Sequence, residues 1–112
     1  MTIAERLSAA GYATAHVGKW HLSHVVQGDK GIAEIDLRPE KQGFDLNAGG
    51  NSSGGPASYF APYRNSALKD GQDGEYLPDR LADEAIRFIR QHKEQSFYLN
   101  WWPYSVHYPM QA

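Results

Sequence analysis

The chain has 112 residues and a mass near 12.5 kDa, which fits one small domain or a piece of a larger one. Hydrophobic residues make up 41% and charged residues 21%, a globular composition that excludes a wholly disordered chain. Eleven basic and thirteen acidic side chains give a formal charge of −2, which argues against nucleic acid held by a basic surface; no apolar run is long enough for a membrane-spanning helix; and without cysteine there is no disulfide or thiolate site.

The chain opens on a helix. Ile3, Leu7 and Ala10 recur at helical spacing, and Thr2 with Glu5 forms a capping-box pattern. Gly11 stops that helix. No cationic start followed by an apolar stretch is visible, so no signal peptide is expected. Tyr12 to Val17 reads as a strand ended by Gly18. From about His24 to Leu77 periodicity is weak, and Gly49 to Ser58 is a loop by composition. A stretch of that length suits either a functional site or a segment supported by a larger fold. Leu81, Ala85, Phe88 and Ile89 then mark one apolar helical face, with Pro78 near its start. Asp79, Asp83 and Glu84 lie toward its N-terminus and Arg87, Arg90, His92 and Lys93 toward the other end, as the helix dipole favours. Ser96 to Trp101 reads as a buried strand, and a proline-interrupted aromatic loop closes the chain. Helices alternating with strands predict an α/β fold with parallel strands.

In such sheets functional groups gather at the carboxyl ends of the strands. Gly18-Lys19-Trp20-His21 follows the first strand and Tyr104 to Pro109 the second. If the first strand continued, Lys19 and His21 would project to one side and place an ammonium beside an imidazole. That pair suits an anion or a developing negative charge, although a surface lysine and a satisfied histidine are the commoner outcome of such spacing. His107 is placed to donate a proton at neutral pH, or to bond its own loop backbone. His16, His21 and His24 do not have zinc-like spacing, and no metal ligand is assigned. Asn51, Ser52 and Ser53 stand among glycines and could meet a sugar or phosphate, but the spacing matches no phosphate-loop motif. Trp101, Trp102 and Tyr104 could stack on a carbohydrate ring; burial beside the sheet is the simpler expectation. No G-x-S-x-G nucleophile elbow occurs.

Gly11-Tyr-Ala-Thr-Ala-His-Val-Gly-Lys-Trp-His-Leu22 closely resembles the signature G-Y-x-T-x-x-x-G-K-W-H-L of the type I sulfatases, members of the alkaline phosphatase-like superfamily. Gln42-Gly43-Phe44-Asp45, Gly49-Gly50-Asn51 with the stretch to Tyr63, Glu75 through Ile89, and His107-Tyr108-Pro109 resemble further family segments in the same order. The resemblance covers nearly the whole chain.

It implies an α/β fold: part of a mostly parallel, helix-flanked sheet of the alkaline phosphatase-like type, incomplete in this chain. Residues 1–112 would be a partial catalytic domain of an enzyme that hydrolyses sulfate esters of small molecules or glycans. By resemblance, Lys19 would hold a sulfate oxygen. His21 would contact the hydrated aldehyde nucleophile and act as a base in releasing sulfate. His107 would bind the ester sulfate and protonate the leaving alcohol. Asn51 would belong to a substrate loop, where relatives carry a histidine at the position of Ser52. The family also implies calcium and a formylglycine made within C/S-x-P-S-R. That motif and the family's Asp-Asp pair do not occur here, so both groups are expected outside this stretch. The isolated fragment is then expected to be inactive and to carry open sheet edges. A phosphate-ester or phosphonate hydrolase on the same scaffold, and a non-catalytic module that binds sulfated glycans, are the alternatives. The family is usually exported or lysosomal, which suggests a periplasmic or secreted protein. The sequence leaves the substrate, the compartment and the oligomeric state open.

Overall fold

The computed structural model describes residues 1–28, 31–35 and 37–111. In chain order the elements are α1 (Ile3–Ala9), β1 (Ala13–Gly18), β2 (His24–Gly28), β3 (Gly31–Ile35), a 3-10 turn (Pro39–Lys41), β4 (Leu46–Ala48), α2 (Leu77–His92) and β5 (Phe97–Trp102). β1 pairs in parallel with β4 on one side and β5 on the other. β2 and β3 form a separate antiparallel pair. The expected α/β class with parallel strands is therefore what the chain adopts.

Local chemistry sets the ends of α1. The Thr2 hydroxyl accepts the Glu5 N–H at 3.0 Å, and the Glu5 carboxylate accepts the Thr2 N–H at 2.7 Å. Both orphan donors are thus satisfied reciprocally. At the other end the Gly11 N–H reaches Ser8 O and the Tyr12 N–H reaches Leu7 O, with Gly11 at φ +88°. That is a Schellman ending, which needs the left-handed conformation glycine adopts without strain. The buried residue of α1 is Ala4, whereas Ile3 is 68% exposed, so the apolar face read from Ile3, Leu7 and Ala10 is displaced. The cause is close packing. Gly43 lies so near the backbone of Ala4 and Glu5 that a methyl there has no room. Only glycine fits at position 43 in that contact.

β1 is buried along nearly its whole length, as a central parallel strand must be. On one face Val17 joins Ala48, Tyr59, Tyr63, Leu77, Leu81 and Ala85, so α2 covers this side. On the other face Ala4, Trp20 and Phe44 form a smaller cluster with Tyr98. Ile89, expected on the buried face of α2, is 39% exposed and lies at its rim. Asp79 stands in the first turn and Arg90 and His92 in the last, as the dipole favours. Arg80 bonds Glu84 at 2.9 Å and Glu75 at 3.1 Å, tying the start of α2 to the preceding loop.

Two expectations need correction. The middle zone is not structureless, because it holds β2, β3, the 3-10 turn and β4. β5 runs one residue later than expected and is half-buried rather than buried. Among the described residues β1 is its one strand neighbour, and Trp101 and Trp102 are 41% and 45% exposed.

Thr14 joins β1 to the turn before β4. Its hydroxyl donates to Gly43 O at 2.7 Å, and its N–H donates to the Asp45 carboxylate at 2.9 Å. Thr14 is fully buried, and losing the hydroxyl removes its bond to the half-buried Gly43 carbonyl and the bond it accepts from the Asp45 N–H. Thr14→Val is expected to destabilise the fold by about 1–3 kcal/mol, measured as a lower midpoint of chemical unfolding. An unchanged midpoint contradicts this account.

Candidate functional site

Parallel pairing puts the carboxyl ends of β1, β4 and β5 at one edge of the sheet. The loops that leave them carry Lys19 and His21, Asn51 to Gly55, and Tyr104 to Pro109. The edge is held by a very close approach of two strands. Gly18, at φ +106°, packs directly on the Trp102 carbonyl, and the Lys19 N–H donates to the same oxygen at 2.6 Å. β1 ends at Gly18 and His21 has φ +57°, so strand alternation does not put Lys19 and His21 on one side. The irregular segment after β1 presents them instead. No acidic side chain among the described residues pairs with the Lys19 ammonium.

His21 is exposed. Its N–H donates to Asn51 O at 3.0 Å. Its ring lies against Gly54: a Cβ built there would fall 2.6 Å from Cε1 and 2.8 Å from Nδ1. His107 lies against the next residue. A Cβ on Gly55 would fall 2.7 Å from its Nδ1. Consecutive Cα atoms are about 3.8 Å apart, which brings the two imidazoles within about 12 Å of one another. Residues 86 positions apart in sequence thus meet across one glycine pair.

Buried tyrosines hold His107 in place. The Tyr59 hydroxyl accepts the His107 N–H at 3.1 Å and donates toward the carbonyls of His107 and Tyr104, each at 3.0 Å. The Tyr104 hydroxyl donates to Gly49 O at 2.7 Å, and Asn65 donates to the same carbonyl at 2.9 Å. Burial pushes the Tyr104 hydroxyl up to about 12, so it remains a donor. The His107 ring donates through Nδ1 to Tyr108 O at 3.1 Å, which leaves Nε2 as the nitrogen that exchanges protons. His107 also borders an apolar cleft of about 290 Å³ between Tyr59, Tyr76, Val106 and Met110.

The other candidates take different places. Asn51 makes two bonds within its surroundings: its carbonyl accepts the His21 N–H and its side chain accepts the Ser53 N–H at 2.8 Å. Tyr104 is 3% exposed and cannot stack on a ligand. Trp102 stacks on Trp20 at 6.2 Å. His16 is fully buried, with Nε2 donating to Gly18 O and Nδ1 accepting from Asn100. The rings of Trp20, Phe44 and Trp102 meet it edge-on. The histidine trio considered for zinc does not assemble, since both His16 nitrogens are engaged; the His24 side chain lies outside the described residues. Among the described residues no three acidic or histidine side chains converge on a metal site, so they do not fit calcium. Tyr59, Gly54 and Gly55 were not singled out from sequence as site residues. The Ser58-Tyr59-Phe60 segment marks an aromatic anchor, but nothing local shows that it holds a histidine 48 residues away.

The model of the Sulfatase family matches residues 1–112. The chain belongs to the sulfatase family. It is 32% identical over 130 aligned residues to N-acetylgalactosamine-6-sulfatase of Homo sapiens, covering 96% of this chain and 22% of that protein. The same enzyme of Sus scrofa is 30% identical with the same coverage. The uncharacterized sulfatase YdeN of Escherichia coli (strain K12) is 33% identical over 107 residues, covering 80% of this chain and 19% of that protein. The chain thus spans about a fifth of the length of these sulfatases.

Burial lowers the His16 pKa from 6.5 to about 4, against a partial opposing effect of ring hydrogen bonds to the Gly18 and Lys19 backbone. The unfolded chain therefore takes up a proton first as pH falls. The stability contributed by neutral His16 is complete above about 6.5 and is lost as pH falls toward about 4, by about 3 kcal/mol. The His16 ring resonances are expected to stay constant by NMR from about pH 7 to pH 5. Titration near 6.5 contradicts the buried neutral assignment.

Proposed function

We propose that this chain is the part of a sulfate-ester hydrolase that supplies three of its working side chains, Lys19, His21 and His107. The observation that carries the reading is the meeting of the two imidazoles over Gly54 and Gly55, at the strand edge where Lys19 stands without an acidic partner among the described residues.

The chemistry of each group supports a role. The Lys19 ammonium binds a sulfate oxygen and offsets charge that builds on the sulfuryl group. His107, protonated, passes the Nε2 proton to the departing alcohol oxygen. Its Nδ1 bond to Tyr108 O keeps the ring turned for that exchange. His21 serves as the base in the half-reaction that frees sulfate. Asn51 acts through its carbonyl, which orients His21. Substrates of this reading are sulfated small molecules or glycans. A formylglycine nucleophile and calcium belong to sequence outside these residues, and no step here runs through either. The 112-residue chain alone is therefore inactive.

In the longer polypeptide that carries this segment, Lys19→Ala, His21→Ala and His107→Ala are each expected to lower kcat/KM for an aryl sulfate by about 10²- to 10³-fold. Circular dichroism should be unchanged, because all three side chains lie outside the core clusters. Full activity of any of the three variants removes that residue from the proposed site. Preference for a phosphate ester over the matching sulfate ester overturns the substrate class. Turnover of aryl sulfate by the isolated 112 residues, abolished by His21→Ala, overturns the reading of the fragment as inactive.

A further inference from the structure

We infer that Gly54 is a positioning residue for His21 and Gly55 for His107, the consecutive glycines forming the floor on which both imidazoles lie. The inference deepens the reading of those histidines given above and rests on it.

Space, and not backbone conformation, demands glycine here. Gly11 is the contrast. It has φ +88° and an added Cβ would meet nothing within 4 Å. Neither Gly54 nor Gly55 is in the left-handed region, so alanine fits their backbone. The nearest obstacle at Gly54 is the His21 ring: a Cβ would lie 2.6 Å from Cε1, 2.8 Å from Nδ1 and 3.1 Å from Nε2. Contact with three ring atoms places the imidazole across the glycine and not at its margin. At Gly55 a Cβ would lie 2.7 Å from His107 Nδ1 and 2.5 Å from Tyr108 O. Those two atoms are the donor and acceptor of the hydrogen bond that turns the His107 ring. A methyl there enters the bond itself.

The rest of the His21 environment makes this floor decisive. No hydrogen bond from the described residues engages its ring. Its backbone is held by Asn51 O and its ring by van der Waals contact with Gly54. A methyl group at 54 therefore meets the ring first. Misplacing a reacting group by about 1 Å can cost about 10²-fold in rate.

The test is a double-mutant cycle in the longer sulfatase polypeptide, assayed on an activated aryl sulfate. Gly54→Ala is expected to lower kcat by about tenfold or more, and to add less than about twofold to the loss caused by His21→Ala. A residue that only supports the fold gives the same loss in both backgrounds. A second readout needs no turnover: the His21 ring resonances shift in Gly54→Ala while those of buried His16 do not. Gly55→Ala with His107→Ala gives the parallel cycle. Full kcat in Gly54→Ala while His21→Ala is impaired overturns this inference and leaves the role of His21 standing. An additive loss, or a Gly54→Ala protein that does not fold, also overturns it, because the methyl then meets more than a movable ring. Full activity in His21→Ala overturns the inference and the underlying reading together.

Discussion

Gly18 packs against the Trp102 carbonyl so closely that no side chain fits between, and the Lys19 N–H donates to that same oxygen. The remainder of the site depends on this contact. It locks the carboxyl ends of β1 and β5 in register, with Gly18 opposite Trp102. The two loops that leave those ends start from one fixed point. A looser crossing lets Lys19 and His107 drift independently. The buried His16 reinforces the contact from beneath by donating to Gly18 O, and Asn100 on β5 supplies the other ring nitrogen with a donor. An imidazole kept neutral by burial thus bridges the two strands just below the working edge.

A second layer of support comes from the loop between β4 and α2. Tyr104 and Asn65 both bond Gly49 O, and Tyr59 holds the His107 backbone from either side. These hydroxyls and amides are buried or half-buried, so each bond is costly to leave unmade. The loop is irregular yet densely tied, and its glycines leave room for the imidazoles that lie over it. A rigid sheet edge with chemistry on the connecting loops is the arrangement that open α/β sheets favour.

The signature segment of β1 divides into two jobs. Thr14 meets Gly43 and Asp45, and Trp20 donates to Leu37 O at 2.8 Å. These residues bring the G-F-D turn and the chain before it onto the sheet. Lys19 and His21 project from the same segment toward the solvent side. One short run of sequence therefore builds the scaffold and carries the side chains proposed to act on substrate.

Much of this protein was legible in one dimension. The capping box at Thr2 and Glu5, the stop at Gly11, the stripe of α2 and the alternation that predicts parallel strands are local patterns, and local patterns survive without tertiary context. The β2–β3 pair had a visible signal too, in Val25-Val26 and Ile32-Ala33-Glu34-Ile35 between glycines, but the glycine-rich stretch that follows masked it. The buried face of α1 and the exposure of β5 were not legible, because they depend on Gly43 and on which strand lies beside which. Sequence alone also determined the family and its candidate residues, since a twelve-residue motif needs no coordinates. Only the tertiary structure decided which carbonyls Asn51 and Tyr104 tie down, that His16 bridges two strands, and that the His21 and His107 rings lie against consecutive glycines. Those facts follow from contacts between residues 30 to 84 positions apart, and no periodicity or propensity encodes a distance of that kind.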